Sequence, residues 1–433
     1  MPFRAQDLSF HIISLGCFKN QTDSELINGA LRGAGFVVAE NEAGADIVII
    51  NTCGFIEDAK RESLQEIFDI EKDTSEQSSP AFRRRLVVCG CLSQRYFDQM
   101  KSEMPEIDLL YGLVDENLLA TIVRNFDIEI KPSPRAVRTP LIQLPYEYIK
   151  IAEGCSNNCS FCAIPLIRGP RRSFSPDDIL SDAAAAIGRG ASELILIAQD
   201  SASYEYGGTA LAGLLYRIAE LKPQMVRVMY MHPDRIVSPL LKAMADLECV
   251  APYLDIPFQH ADHSILKSMN RSGSAERYLD LIAEIRATVP RISLRSTFMV
   301  GFPGEDARAF AVLCKFVSDA RLDRAGFFMY SREEGTPAFS LGDTAPKTKV
   351  VRYNEISQLQ EDITRGMLGA RIGERVRVIV EEKSSDDQWI GRSEYDAPDI
   401  DGIFFLTGQG ELLHKIVMAT ISDTAEFDLI GEL

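Results

Sequence analysis

Glu153-Gly154-Cys155-Ser156-Asn157-Asn158-Cys159-Ser160-Phe161-Cys162-Ala163-Ile164-Pro165 sets three cysteines at C-x3-C-x2-C spacing, and the reading of those thiols governs the rest of the chain. Three thiolates this close cannot share one sulfur partner, yet each can take a different iron of a cubic 4Fe-4S cluster, whose protein ligands are Cys thiolates. The fourth iron is then left without a protein ligand. Such an open iron can chelate a small molecule and pass it an electron, which makes it a centre for chemistry as well as for electron storage. Zinc is the competing reading, but it wants a fourth Cys or His, and the nearest in sequence, Cys91 and His232, lie far away.

Upstream of this motif, residues 9–15 read as a buried strand running into Gly16-Cys17-Phe18-Lys19-Asn20, with a helix to follow from an N-cap at Thr22 or Asp23. The pattern recurs. Residues 45–50 form a second strand ending in Asn51-Thr52-Cys53-Gly54-Phe55, and 85–88 a third ending in Cys89-Gly90-Cys91-Leu92. Alternating strand and helix implies parallel strands, whose carboxyl ends are where ligands gather. Cys17, Cys53 and Cys91 are therefore expected on one edge. Scattered cysteines are also ordinary core residues, and Cys89, inside its strand, is read that way, as are Cys249 and Cys314. The polar run Glu71–Ser79 is expected to be an exposed loop. Residues 131–145, with Pro132, Pro134, Pro140 and Pro145 among basic side chains, read as a linker.

Downstream, the first strand is expected at 148–151, and further strands at 193–198, 226–231, 253–257, 294–300 and 325–330. They alternate with helices near 176–189, 208–221, 236–246, 275–288 and 305–320. Six βα units make a partial (β/α)6 barrel, which keeps its chemistry at the carboxyl ends of the strands. Gln199 and the run Gly301-Phe302-Pro303-Gly304-Glu305 stand at such ends, and Arg295 is grouped with them as a polar candidate for binding a small molecule. Gln199 and Arg295 have barrel-internal hydrogen bonding as the alternative. His232 and His260 have no partner spacing and are read as structural or substrate-loop residues. A long helix near 348–369 leads to short strands at 375–382, 389–393, 402–406 and 414–421, read as a small antiparallel β-barrel.

The chain has 433 residues, which calls for two or three domains. Its 46 Lys and Arg against 63 Asp and Glu give a net charge of −17, and residues 371–433 alone carry −8 from 6 basic and 14 acidic residues. Nucleic-acid affinity rests on neutralising phosphates with basic side chains, so a basic protein partner suits this chain better. An RNA-binding patch at Arg168, Arg171 and Arg172 is weighed against a solvated loop. Nine cysteines suit a reducing cytoplasm and metal ligation more than disulfides. The polar N-terminus and the lack of an apolar run near the roughly 20 residues that span a bilayer predict no membrane segment.

Two resemblances sharpen this reading. The C-x3-C-x2-C motif with an aromatic before its last Cys resembles the radical S-adenosylmethionine (SAM) superfamily, in which SAM occupies the open iron. Ser14-Leu15-Gly16-Cys17-Phe18-Lys19-Asn20, Asn51-Thr52-Cys53-Gly54-Phe55-Ile56 and Gly90-Cys91-Leu92-Ser93-Gln94-Arg95-Tyr96 resemble the methylthiotransferase family. Its plan covers nearly the whole chain: a Rossmann-like α/β domain (8–130), a radical-SAM core (141–370) and a TRAM-like barrel (371–433). The pieces Ala198-Gln199-Asp200-Ser201, Tyr253 to Ala261, Tyr330 to Pro337 and Tyr395 to Gly402 resemble the branch that modifies an aspartate of the twelfth small-subunit ribosomal protein, with the transfer-RNA branch as the alternative. One departure is Phe174, where an Arg is common.

The resemblance implies a transferase with two 4Fe-4S clusters, one held by Cys155, Cys159 and Cys162 and one by Cys17, Cys53 and Cys91. It further implies SAM as radical source and methyl donor, for which the strand-end residues Gln199, Arg295, Gly301, Phe302, Pro303, Gly304 and Glu305 are the candidate contacts. A basic ribosomal protein as substrate, a flavodoxin- or ferredoxin-type electron donor and a sulfur donor follow in the same way. A non-catalytic iron–sulfur module that docks on ribosomes is the reading from another class; it leaves the second triad and the glycine-rich strand exit without a role.

Overall fold

The computed structural model describes residues 3–76, 83–130 and 137–433. The chain divides into two compact units, one of Met1–Gln143 with Ala163–Pro170, the other of Leu144–Cys162 with Arg171–Leu433.

In the first unit, β1 (Ser9–Ser14), β2 (Val37–Val38), β3 (Ile47–Thr52), β4 (Arg85–Gly90) and β5 (Leu109–Leu110) form a parallel sheet in the order β2-β1-β3-β4-β5. The run Ile47-Val48-Ile49-Ile50 is buried throughout, as expected of a central strand covered on both faces. Helices α1 (Phe18–Ala34), α2 (Glu57–Glu76) and α3 (Cys91–Arg95) leave the carboxyl ends of β1, β3 and β4, so the Rossmann-like expectation holds. Three local expectations do not. Helix α1 begins directly after Cys17 instead of at Thr22 or Asp23, because Asn20, Thr22, Asp23 and Ser24 turn inward and are buried. Glu71–Glu76, expected in a loop, are the last turns of α2, while Gln77–Ser79 lie outside the described residues. Of the expected linker, 131–136 also lie outside them, but Arg138 is buried against Glu25 and the Thr139 and Pro140 carbonyls accept from Asn28 Nδ2 at 3.1 Å. Helix α4 (Ile164–Arg168) completes this unit, with Ala163 and Ile167 packed on Cys91.

The second unit carries β6 (Tyr146–Lys150), β7 (Glu193–Ile197), β8 (Met225–Val228), β9 (Tyr253–Asp255), β10 (Ser293–Val300) and β11 (Arg324–Met329) as two three-stranded parallel sheets, β8-β7-β6 and β9-β10-β11. Backbone bonds from Met231 N to Asp255 O (2.9 Å) and Ala251 N to Val226 O (2.8 Å) join them into one curved, open wall. Helices α5 (Pro176–Gly188), α6 (Leu211–Ala219), α7 (Ser238–Asp246), α8 (Ala275–Thr288) and α9 (Ala307–Ala320) cover its outside. Their starts are written in the sequence: Ser175, Ser274 and Asp306 each accept a backbone N–H three residues on. Phe258, Phe298, Phe316 and Tyr278 stack together in the core beneath them. This is the expected partial barrel. Phe174, the departure from the family pattern, packs on this core beneath the Arg172 guanidinium.

After α10 (Pro346–Gly369), strands β12 (Arg375–Ser385), β13 (Gln388–Ser393), β14 (Phe404–Thr407), β15 (Ile416–Ala425) and β16 (Asp428–Glu432) close a barrel in the order β12-β13-β14-β16-β15. Its pairings are antiparallel except β14 with β16, and β16 is a strand that the sequence reading did not expect. This small barrel sits on the amino ends of the core strands through buried charge pairs. Glu193, at the first position of β7, binds Arg227 Nε at 2.7 Å and Arg392 of β13; Arg324 binds Asp396 at 2.9 Å; Arg371 binds Asp323 at 2.9 Å. Burial acts to raise the Glu193 carboxyl, but Arg227 and Arg392 outweigh it and hold the group ionised.

Candidate functional site

The C-x3-C-x2-C loop lies in the second unit and is fastened on several sides. Ser160 N donates to Met269 O (2.9 Å), Ser160 O accepts from Ala338 N (2.8 Å), and Asn158, at φ +53°, presents its carbonyl to Asn270 Nδ2 (2.8 Å). Asn157 Nδ2 donates to Asp200 Oδ2 at 2.8 Å, and Phe161 meets Phe302 edge to face. All three thiols are half-buried, and burial pushes Cys155 up. Arg271, buried, donates from Nη1 to Cys159 Sγ at 3.6 Å. The sequence held no signal for Arg271, since Cys159 precedes it by 112 positions.

Of the small-molecule candidates, Gln199 donates from Nε2 to Glu153 at 2.8 Å, while its Oε1 is buried without a hydrogen-bond partner among the described residues. That open acceptor would suit an ammonium or hydroxyl of a bound molecule. In the Gly301–Glu305 turn, the Glu305 carboxylate accepts from Gly301 N at 3.1 Å and from Arg352, and faces His260 Nε2 at 3.2 Å. Phe302 is buried between Phe161 and Tyr330, Pro303 is buried too, and Gly304 is the exposed member. The structure does not bring Arg295 to this end: it stands near the amino end of β10, ion-paired with Asp255 and Asp401 at 3.2 Å each. His260 is fully buried, and its Nδ1 accepts from Asp262 N at 2.9 Å.

Beside the loop, Asn157, His232, Arg235, His263, Lys267 and Arg271 line a cleft of about 690 Å³. His232 Nδ1 accepts from Asp234 N at 3.3 Å, and burial, helped by Arg271, lowers its pKa to about 3. The unfolded chain would protonate this ring near pH 6.5, so the native state binds fewer protons between about pH 6.5 and 3 and loses stability as pH falls through that window. At pH 5.5 the loss is about 1 kcal/mol. His232→Asn should therefore show a smaller drop in thermal midpoint than the parent between pH 7.5 and 5.5; equal drops would contradict the buried neutral ring.

The second triad is assembled within the first unit. Cys17 caps α1, Cys53 follows β3 and Cys91 opens α3. Two glycines let these exits close together. A Cβ on Gly16 (φ +90°) would stand 2.7 Å from Cys53 Cβ, and one on Gly54 would stand 2.7 Å from Leu92 Cα. Ser63 Oγ binds both N and O of Cys53 at 3.0 Å. Asn20 Oδ1 lies 3.6 Å from Cys91 Sγ and 3.9 Å from Cys17 Sγ. Burial raises Cys53, and pushes Cys91 up to about 11 against the pull of Arg168; for Cys17, Lys19, Arg168 and backbone N–H groups outweigh burial and lower it. Cys89 is fully buried behind them, packed as expected.

Both triads offer sulfur donors alone, the soft set that suits iron–sulfur clusters. Among the described residues, no three His, Cys, Asp or Glu side chains are arranged to hold a single metal ion. Arg168 is not the solvated loop residue of the sequence reading: it is buried and paired with Asp23 at 3.3 Å.

Three family models match the chain in order: uncharacterized protein family UPF0004 over 9–112, the radical SAM superfamily over 149–317 and the TRAM domain over 372–433. Curated relatives named ribosomal protein uS12 methylthiotransferase RimO match nearly end to end. That of Caldicellulosiruptor saccharolyticus is 39% identical over 97% of this chain and 98% of its own length. That of Pelotomaculum thermopropionicum is 40% identical over the same shares, and that of Thermotoga maritima 37%. Among solved structures, the radical SAM methyltransferase TsrM of Kitasatospora setae, with cobalamin and a 4Fe-4S cluster bound, superposes with a TM-score of 0.57 at 13% identity over 76% of each chain. The cobalamin-dependent radical enzyme OxsB gives 0.51 at 12% identity, over 81% of this chain and 56% of its own. These two share the fold.

Proposed function

Because the chain belongs to the family of ribosomal protein uS12 methylthiotransferases, we propose that it adds a methylthio group to the β-carbon of an aspartate of that basic ribosomal protein. It is a radical SAM transferase that uses SAM and an iron–sulfur cluster. The finer reading is two 4Fe-4S clusters, held by Cys155, Cys159 and Cys162 and by Cys17, Cys53 and Cys91. The observation that carries it is the second all-thiol triad, built at three strand exits of a unit of its own. When bound, such clusters supply one-electron chemistry that reaches an unactivated C–H bond, which acid–base groups cannot.

The side chains divide the remaining work. Gln199 Oε1 is the acceptor assigned to SAM, Gly304 allows close backbone approach, and Glu305 and Phe302 keep the turn in shape. Arg295 is assigned to the joint with the small barrel instead. The domain bounds 8–130, 141–370 and 371–433 are the working division. A flavodoxin- or ferredoxin-type electron donor and a sulfur donor complete the partners, and the net charge of −17 favours steering toward a basic protein over RNA. No helix of the described residues is long and apolar enough to cross a membrane, and the nine free cysteines suit a cytoplasmic setting.

The test is an anaerobic reaction of the cluster-reconstituted chain with SAM, reductant and sulfide, with the ribosomal protein and unmodified transfer RNA in separate tubes. Mass spectrometry should find one methylthio group on an aspartate of the protein and none on the RNA. Cys53→Ala should still cleave SAM but transfer no methylthio group; full transfer by that variant would end the two-cluster reading.

A further inference from the structure

We propose that Arg168 is a positioning residue for the second thiol triad: it fixes the Cys91 thiolate as a ligand and stabilises the more negative, reduced state of the metal group held there. This rests on the reading that Cys17, Cys53 and Cys91 bind a cluster.

The geometry is specific to a guanidinium. Nη2 lies 3.3 Å from Cys91 Sγ and 2.7 Å from Asn20 Oδ1, and both Nη1 and Nη2 reach Asp23 Oδ2 at 3.3 Å. One planar fork therefore touches a thiol and two acceptors at fixed angles, which a lysine ammonium cannot reproduce. The acceptors come from one helix face, because Asn20 and Asp23 are three residues apart on α1, and Cys17 caps that same helix. Asn20 is held in turn by its Nδ2 bond to Thr52 O (2.9 Å), one residue before Cys53. Arg168 thus reaches Cys91 directly and the settings of Cys17 and Cys53 through Asn20.

Charge gives the arrangement its purpose. Cys53, Cys91 and Asp23 are buried beside the exposed Cys17, and Arg168, 7% exposed, is a buried cation in contact with both Cys91 and Asp23. Adding an electron to such a site is costly unless positive charge and N–H donors face the sulfurs, and hydrogen bonds to sulfur are among the features that set cluster potentials. Asp23 holds the fork in place and offsets part of its charge, so the orientation of Arg168 matters as much as its presence.

The experiment uses the full-length chain with Cys155, Cys159 and Cys162 all replaced by alanine, so that the second triad alone can hold a cluster. Iron and sulfide content and an EPR-monitored redox titration are read for this background, for R168Q and for R168K. R168Q should keep most of its iron, but its reduced fraction at a fixed potential should fall about tenfold, a shift of ~59 mV for a one-electron couple. R168K should fall between R168Q and the background. A potential unchanged in both variants overturns the proposal, as does loss of iron with no change in potential, the mark of a merely structural ion pair. A background chain that holds no cluster overturns the two-cluster reading and this proposal together, which separates the two failures.

Discussion

Cys155→Ala, Cys159→Ala and Cys162→Ala are each expected to abolish SAM cleavage completely while leaving the fold intact. Nothing else in the loop can stand in for a lost thiolate, since Ser156, Asn157, Asn158 and Ser160 offer hard oxygen and nitrogen donors where iron–sulfur chemistry needs soft ones. The loop itself does not depend on the thiols for its course. Met269, Asn270 and Ala338 hold it through bonds to Ser160 and Asn158, so the circular dichroism spectrum should match the parent's. With all three cysteines replaced, reconstitution should leave about half of the parent's iron, that of the second triad. Measured 5′-deoxyadenosine release from any single variant at the parent's rate would remove this motif from the chemistry.

Glu193→Ala should destabilise the second unit by about 3–5 kcal/mol, because it strands Arg227 and Arg392 in a fully buried site without their shared carboxylate. Arg392 retains Glu381 at 2.6 Å, but Arg227, buried to 0% exposure, would be left with neutral partners, the Glu394 carbonyl, Met225 Sδ and the Tyr253 ring face. Replacing Glu193, Arg227 and Arg392 together by apolar residues of similar volume should cost less than Glu193→Ala, since most of the desolvation cost disappears with the charges and Glu381, which loses Arg392, is partly exposed. Thermal unfolding of the single and triple variants decides the matter. A triple variant as unstable as Glu193→Ala would mean that packing, and not the stranded charge, sets the loss.

The βα rhythm was legible because each strand is a short apolar run followed by a capped helix, as at Ser175, Ser274 and Asp306. The edge shared by Cys17, Cys53 and Cys91 followed from parallel topology alone. Other features were hidden for physical reasons. Asp23 and Thr22 look like N-caps, but in the fold they are spent on Arg168 and on the Lys19 carbonyl, so the helix begins earlier. Arg295 looked like a ligand-binding residue because position within a strand decides which end of a barrel a side chain serves, and its register with Arg324, the first residue of β11, puts it at the amino end. Arg168 sits in a Pro- and Gly-flanked basic stretch that sequence alone reads as surface. Only the packing of α4 on Cys91 shows where its charge goes.

Ala163–Pro170 belongs to the first unit although the residues on either side of it belong to the second. The order in which the chain is made then matters. As the N-terminal residues leave the ribosome, their sheet can form, but α4 and Arg168 are still unsynthesised, and Asp23 and Cys91 both lack the guanidinium they share. At about 5–20 residues per second, the stretch from Gln143 to Pro170 adds a delay of seconds before the second triad gains its counter-charge. A fragment ending at residue 143 would never gain that counter-charge, so the first third of this protein completes its sheet without completing the surroundings of its thiol triad.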